Sequence, residues 1–438
     1  MSVPLDRLYN FLYDIANRSD LLIYQFFPHG SRKLEDLKDL FTIKPGHSWI
    51  RGMTTPCMIM HDQEPLMYHL YTKKDFKEYL EQNRHKFYPR ALIEVVAELH
   101  LRACVYATTN AYDQTLLCHS EQNSQDLALY QQHGFIGVYY WSHALIARDW
   151  YRYARVDPKL TVNFERITHD FLIYNRAWSG TREYRLTLAE MLADNNLISC
   201  CRTTFSEVDG QLQYTQHTFA NPDLDISRDD LHEIYSPNTH DASASADYNN
   251  QDYATTGIEV VLETLFDDSR YHLTEKTLRP IACGRPFMLA ATPGSLNYLR
   301  QYGFKTFDGL IDETYDTILD PRQRLKTIVQ EIKRISCLDK DQKRLLWTKL
   351  YSIAEYNKRL FFSNDWHDSI VKEFQDNFNS SINQLTVSGK YQDKLDKIAS
   401  NNDPEMIRWR NTYRPGMPTE EDREQLARWI QEKNSSRT

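Results

Sequence analysis

Short apolar segments alternate with stretches of helical spacing along the first third of the chain. DLLIYQFF at 20–27 and the apolar half of PCMIMHDQEP at 56–65 predict strands, and GFIGVYYWSHALIARDW at 134–150 predicts a strand followed by a helix. Uninterrupted apolar runs of about 4–8 residues between helices are typical of parallel strands that helices cover on both faces. The pattern therefore predicts an α/β fold and not a β-sandwich.

The same alternation restarts after a polar seam, ARVDPKLTVN at 154–163. A strand, a helix and another strand are predicted between 166 and 205, and the spacing becomes mainly helical beyond 320. We therefore predict two Rossmann-like α/β domains facing a cleft, one over 1–160 and one over 166–340. A helical C-terminal extension over 341–438 is predicted to pack on both.

Composition narrows the class of protein further. With 41% hydrophobic and 26% charged residues, the 438-residue chain can build globular cores. The formal net charge of −8 excludes a uniformly basic protein that coats nucleic acid, although it is compatible with a local basic groove. Seven cysteines without CxxC spacing favour neither a disulfide framework nor a zinc site. No apolar run approaches the roughly 20 residues that span a bilayer, and the start resembles no secretion signal. We expect a cytoplasmic protein with no membrane partner.

The segment Thr274-Glu275-Lys276 predicts the start of a helix at which a phosphate could bind. A threonine in the capping position would leave backbone amides and the positive helix end beside a ligand. Lys276 adds a cation, and Glu275 can accept hydrogen bonds from sugar hydroxyls. The alternative interpretation is an ordinary helix start with a solvated lysine and glutamate.

The residues that follow strengthen the first interpretation. After the predicted helix come the turn ACGRP at 282–286, the strand PFMLAA at 286–291 and the small-residue loop TPGS at 292–295. The run over 256–335 resembles the donor-binding half of GT-B glycosyltransferases, particularly the fucosyltransferase type and phage-encoded, DNA-modifying relatives. The resemblance implies that Glu275 holds the nucleotide ribose and that Lys276 meets the donor phosphates. It implies a nucleotide sugar as the donor substrate and no further cofactor.

A second group of cations follows the predicted strand DFLIY. Arg176 stands in the loop YNRAWSG, and Arg182 and Arg185 begin the next helix three residues apart, which makes them neighbours on its surface. Guanidinium groups make bidentate contacts with pyrophosphate oxygens and would stabilise a departing nucleoside diphosphate. The alternative is that they are surface arginines of an amphipathic helix. We favour Arg176 first, then Arg182 and then Arg185.

Candidates for a catalytic base follow two strands of the first predicted domain. HDQEP at 61–65 delivers Asp62 and Glu64 to a loop, and either carboxylate could take the proton of an acceptor hydroxyl. A polar loop in which Asp62 caps the next turn is equally compatible. His143 in YYWSH is a reserve base, although a buried aromatic layer with one histidine is the more common outcome for such a segment.

Motifs that the chain lacks limit the mechanism. There is neither a GxxxxGK[ST] loop nor a GxGxxG fingerprint, which disfavours P-loop NTPases and Rossmann dehydrogenases. No Asp-x-Asp ends a strand before the donor segment, and no HExxH occurs, so a metal-independent mechanism is preferred and no metal site is predicted. The sequence thus predicts a glycosyltransferase with a carboxylate base.

The acceptor is left open by the sequence. The resemblance to phage-encoded enzymes implies 5-hydroxymethylcytosine in duplex DNA as one possible acceptor, which would receive glucose or arabinose. It would also place the protein in the host cytoplasm. A glycan or protein acceptor, or a non-catalytic interaction protein with a degenerate transferase fold, are the alternatives. Basic residues of the first domain could line a DNA groove or form a solvated helix face: Lys73, Lys74, Lys77, Arg84, Lys86, Arg90 and Arg102.

Overall fold

A computed structural model describes residues 22–25, 57–61, 65–66, 115–132, 135–235, 248–382 and 384. In chain order its main elements are β1 (Leu22–Gln25), β2 (Cys57–His61), β3 (Thr115–His119), α1 (Gln125–Gln132), β4 (Ile136–Tyr139), α2 (Ser142–Trp150), β5 (His169–Asn175), α3 (Tyr184–Asp194), β6 (Cys201–Phe205), β7 (Val208–Asp209), β8 (Leu212–Gln213), α4 (Leu231–Ile234), α5 (Asn250–Thr255), β9 (Thr256–Leu262), α6 (Glu275–Cys283), β10 (Phe287–Ala290), α7 (Ser295–Gln301), α8 (Pro321–Ser336), α9 (Lys340–Phe361) and α10 (Asn364–Ile382).

Contacts between Cα atoms divide the chain into two compact units. The second unit includes Ala147–Trp366, and the first unit includes the described residues up to 146 together with those from 367 onward. The helix α9 therefore groups with the second unit. The domain boundaries expected at 160 and 340 stay predictions.

The first unit contains a sheet of four parallel strands in the order β1-β2-β3-β4. Leu116, Leu117 and Val138 on its strands are completely buried, as strands covered on both faces require. Two side chains of α10 bond the backbone of the edge strand β4. Asn377 donates to the carbonyl of Tyr139 and Ser381 to that of Gly137, each at 2.8 Å. Backbone groups that would otherwise be unpaired at a sheet edge are thereby satisfied.

The second unit contains a sheet of four parallel strands in the order β10-β9-β5-β6. Every residue of β9 is buried, and β5 is buried over most of its length. The predicted α/β fold with parallel strands is thus confirmed. The chain passes from β5 to β6 on one side, and then to β9 and β10 on the other. The strands β5 and β9 therefore flank a topological switch point, where the loops after the strands diverge.

Two buried carboxylates of the α3 region hold the long polar segment that follows β6. Glu183 accepts hydrogen bonds from the amides of Ala220 and Asn221, each at 2.8 Å. Glu190 accepts from the amides of Ser227 and Arg228 at 2.6 and 3.0 Å. Since charged acceptors make the stronger hydrogen bonds, these contacts fix a segment with few apolar residues of its own against the helix.

A glycine in β9 allows the close packing of α9 on this sheet. A Cβ atom at Gly257 would lie 2.8 Å from the indole nitrogen of Trp347 and 2.9 Å from the carbonyl oxygen of Asp170. We expect Gly257→Ala to lower the free energy of unfolding by about 1–3 kcal/mol, because the neighbouring strand backbone cannot move away at low cost. Urea denaturation of both proteins measures this change. Substitution of Gly210 by alanine is the comparison, since no atom lies within 4 Å of a Cβ atom there and only the positive φ of 68° opposes it.

Candidate anion-binding site

Most residues predicted to hold the donor lie at the carboxyl edge of the second unit's sheet. Arg176 directly follows β5, and Glu263 directly follows β9, the neighbouring strand. Ligands of open parallel sheets bind outside this edge, at the switch point. The topology therefore makes the neighbourhood of Arg176 the candidate site.

The guanidinium groups of Arg176 and Arg182 have no hydrogen-bond or ion-pair partner in the described part of the chain. Both side chains are half-buried, and within residues 135–235 and 248–382 neither forms a hydrogen bond or an ion pair. Burial lowers the pKa of Arg176 below its ordinary value, and the positive charges of Arg182 and Arg185 lower it further. The charges of Asp209 and Glu275 act in the opposite direction. A half-buried cation that is short of negative charge is an anion-binding arrangement.

The same electrostatic relation brings the two predicted groups of residues together. Glu275 lies near enough to Arg176 to affect its pKa, and Glu275 forms an ion pair with Lys276 at 2.9 Å. The ammonium group of Lys276 also bonds the hydroxyls of Thr274 at 3.2 Å and Thr264 at 3.4 Å. The alternative interpretation, in which the lysine and the glutamate are solvated, is wrong for this pair, because the side chains of Lys276 and Glu275 are only 22% and 12% exposed.

The start of α6 differs from the prediction. Thr274 caps the helix through the amide of Lys276, as expected. The expectation of free amides around it is wrong, because Glu263 occupies them. The completely buried carboxylate of Glu263 accepts from the amides of Thr274 at 2.9 Å and Thr277 at 3.2 Å, and from both of their hydroxyls. A protein carboxylate already stands where a phosphate was expected, which leaves Arg176 and Arg182 as the candidate anion ligands.

Arg185 has a different place from the other arginines. Its side chain is 3% exposed, which makes the surface-arginine alternative wrong for it. It donates to the carbonyl oxygens of Ala177 at 2.6 Å, of Leu262 at 2.6 Å and of Glu263 at 3.0 Å. Because these carbonyls lie at or just after the ends of β5 and β9, Arg185 joins the ends of both strands. Its terminal nitrogens bond backbone carbonyls of the protein, and its positive charge acts on the neighbouring Arg176.

A carboxylate that the sequence did not indicate shapes the loop after β5. One oxygen of Asp209 accepts from the amides of Trp178 at 3.0 Å and Ser179 at 2.8 Å, and from the Ser179 hydroxyl at 2.6 Å. Burial raises the pKa of Asp209, but these hydrogen bonds and the charge of Arg182 outweigh it, so the pKa lies below its ordinary value. The carboxylate is therefore held in its charged form beside the arginines.

Several buried polar atoms at this edge have no hydrogen-bond partner among the described residues. They are Asn175 Oδ1 at the end of β5, Arg185 Nε, and Thr292 Oγ1 in the loop after β10. A buried polar atom without a partner costs about 1–3 kcal/mol, so sites that retain such atoms need an explanation.

The segment between α7 and α8 carries a carboxyl group with a shifted pKa. Burial raises the pKa of Asp316 to about 7, although the amide of Leu296 donates to its carboxylate at 3.1 Å. A pKa above the ordinary 3.8 means that the folded state favours the protonated form. Its stabilising contribution is therefore full below about pH 4 and is lost as the pH rises through about 7.

We expect the free energy of unfolding to fall across that interval in the wild type and to change less in Asp316→Asn. At about 1.4 kcal/mol per pKa unit, the difference reaches up to about 4 kcal/mol. Urea denaturation of both proteins at pH 4 and pH 8 measures it. Parallel pH profiles would show that Asp316 titrates normally.

The candidates for the acceptor side lie in the first unit. Asp62 and Glu64 fall outside the described residues, as do all seven basic residues from Lys73 to Arg102. His143, the second residue of α2, is 4% exposed next to the buried Tyr140 and Trp141. This placement fits the buried aromatic layer better than a base that meets an acceptor.

Sequence patterns did not indicate Glu121, which follows β3 and is 1% exposed. Its carboxylate accepts a hydrogen bond from the amide of Leu66 at 3.2 Å. Leu66 lies two residues after Glu64, so Glu121 fixes the chain directly after the predicted base segment.

Two general features follow from the described part of the chain alone. No group of three or more histidine, cysteine, aspartate or glutamate side chains there is arranged to hold a metal ion. No described helix combines the length and the apolar character needed to cross a membrane.

Comparisons of the chain with protein-family models, with curated proteins and with solved structures found no match in any of the three.

Proposed function

We propose that the chain is a glycosyltransferase whose second unit binds the diphosphate of a nucleotide-sugar donor. The observation that carries the proposal is the pair Arg176 and Arg182, half-buried at the switch point and without partners among the described residues. The nearby Glu275–Lys276 pair, only partly exposed, supports it as the ribose and phosphate contact that the sequence resemblance implies. Two separate all-parallel sheets support the GT-B organisation, which is part of the proposal.

The reaction gives these residues definite roles. An acceptor hydroxyl attacks the anomeric carbon, the bond from that carbon to the β-phosphate oxygen breaks, and the nucleoside diphosphate leaves with its negative charge increased. Guanidinium groups that are already in place stabilise this charge without reorganisation, which is the largest contribution in many enzymes. Since no Asp-x-Asp ends a strand before the donor segment, we assign this role to Arg176 and Arg182 and not to a metal ion.

The acceptor hydroxyl must lose a proton during the attack. We propose Asp62 or Glu64 as the base, with His143 in reserve, because both carboxylates follow the strand β2 within three residues and a carboxylate can accept the proton of a hydroxyl. We propose 5-hydroxymethylcytosine in duplex DNA as the acceptor. Glycan and protein acceptors, and the non-catalytic interaction protein, are the other outcomes of the test.

The test measures sugar transfer by the full chain. Nucleotide sugars of uridine, guanosine, cytidine, adenosine and thymidine are each incubated with duplex DNA that carries either 5-hydroxymethylcytosine or cytosine. We expect release of one nucleoside diphosphate, faster with the modified DNA. Release that is the same with both duplexes would move the acceptor to a glycan or protein. No release, together with no rise in melting temperature with any donor, would contradict the glycosyltransferase and favour the non-catalytic alternative.

A further inference from the structure

The loop that carries Arg176 and Arg182 is held from β7, a strand far from it in sequence. The oxygen Oδ2 of Asp209 accepts all three of the hydrogen bonds that reach its carboxylate from Trp178 and Ser179. Those donors lie between the two arginines in the chain. A single acceptor atom therefore bonds two consecutive residues of the backbone that joins the two arginines.

The carboxylate also opposes the function of the loop that it shapes. Asp209 raises the pKa of Arg176 through its charge, and the charge of Arg182 lowers the pKa of Asp209. Neither arginine forms an ion pair with Asp209, so the charges interact across a gap and not through a direct contact. A negative charge at that place weakens the attraction of the loop for a diphosphate, whereas the hydrogen bonds hold its cations in position.

We propose that Asp209 is a positioning residue that presets Arg176 and Arg182 for a diphosphate, and that it does so at an electrostatic cost to affinity. This inference rests on the proposed function and deepens it. Arginine side chains that are already in position lose less conformational entropy when the ligand binds, which improves the affinity. The charge of Asp209 is not needed for that geometry, because one neutral oxygen acceptor in the Oδ2 position can receive the same donors.

Two uncharged variants separate the effect of the hydrogen-bond acceptor at position 209 from the effect of its negative charge. Asp209→Asn keeps an oxygen acceptor and removes the charge, whereas Asp209→Ala removes both. The loop has a second attachment, since the indole of the completely buried Trp178 donates to the carbonyl of Ser206 at 2.9 Å. Asp209→Ala is therefore expected to fold, with the loop loosened only around Ser179.

Affinity for inorganic pyrophosphate, measured by calorimetry on the full chain, is the first readout. We expect Asp209→Asn to bind about 3- to 10-fold more tightly than the wild type, because one opposing charge is gone. We expect Asp209→Ala to bind at least about 10-fold more weakly than Asp209→Asn. The control Asp223→Asn removes an exposed carboxylate that makes no hydrogen bond or ion pair in the described chain, and should leave the affinity unchanged.

Hydrogen exchange of the unliganded proteins is the second readout. The amides of Trp178 and Ser179 should be protected in the wild type and in Asp209→Asn, and should exchange faster in Asp209→Ala. The amides of Ala220 and Asn221, which bond Glu183, should be protected in all three and serve as the internal control.

Equal pyrophosphate affinity of the alanine and asparagine variants would overturn the inference, as would a wild type that does not bind pyrophosphate. Neither result contradicts the glycosyltransferase itself, which the donor panel tests separately. Transfer activity that survives in Asp209→Ala at the wild-type affinity for the donor would likewise overturn only the positioning role.

Discussion

Replacing Arg176 with alanine is expected to weaken nucleoside diphosphate binding by about 10- to 100-fold, because a hydrogen bond between charged groups contributes about 1.5–3 kcal/mol. The same change should leave the free energy of unfolding equal to that of the wild type, or slightly higher. Burial lowers the pKa of Arg176, so the folded state disfavours its charge. A residue that weakens the fold and has no partner in the described chain is retained for binding. Calorimetry and urea denaturation measure the two quantities.

Two controls make this result specific. Arg166→Ala removes an exposed arginine side chain of the same unit that forms no hydrogen bond or ion pair in the described chain, and should change neither quantity. Arg176→Lys keeps the charge but loses the planar fork, so it should restore only part of the affinity. Unchanged binding in Arg176→Ala would exclude this residue from the donor site.

Replacing Glu263 with alanine is expected to cause the largest loss of stability, about 3–5 kcal/mol. Its carboxylate is completely buried and accepts hydrogen bonds from Thr274 and Thr277, through both amides and both hydroxyls. The amide of Thr264 adds a further contact at 3.2 Å. Each buried donor that loses its acceptor costs about 1–3 kcal/mol, and the losses are only partly additive. The shift of the urea transition of the full chain measures the effect.

The comparison variant is Glu233→Ala, because the Glu233 side chain is 72% exposed. Its free energy of unfolding should differ from that of the wild type by no more than about 0.5 kcal/mol. The loss of stability in Glu263→Gln should lie between the losses in Glu263→Ala and Glu233→Ala, since an amide oxygen can accept from some of the same donors. A Glu263→Ala protein as stable as the wild type would mean that the start of α6 is held by other contacts.

Much of the fold could be predicted because its signal is local. The apolar run FLIY in β5 and the completely apolar VVL in β9 indicate buried parallel strands, and both are found. Arg176 was predicted as a site residue because it directly follows such a strand. Any residue in that position lies at the carboxyl edge of a parallel sheet, whatever the order of the strands.

The rest depends on contacts between distant parts of the chain. The order β10-β9-β5-β6 decides that Arg185 reaches the carbonyls of Leu262 and Glu263, and no local pattern encodes that order. Asp209 is 30 residues from Ser179, whose amide it accepts. Glu263 is 11 residues from Thr274 and reads as the polar end of a strand. Sequence patterns identified cations at strand ends, but not the carboxylates that occupy or shape the places around them.

The measurement that tests the central claim most directly is a crystal structure of the full chain with the nucleoside diphosphate that raises its melting temperature most. We predict the diphosphate outside the carboxyl ends of β5 and β9, with phosphate oxygens within hydrogen-bond distance, about 3 Å, of Arg176 and Arg182. A diphosphate bound elsewhere, with both guanidinium groups still without a ligand, would contradict the account.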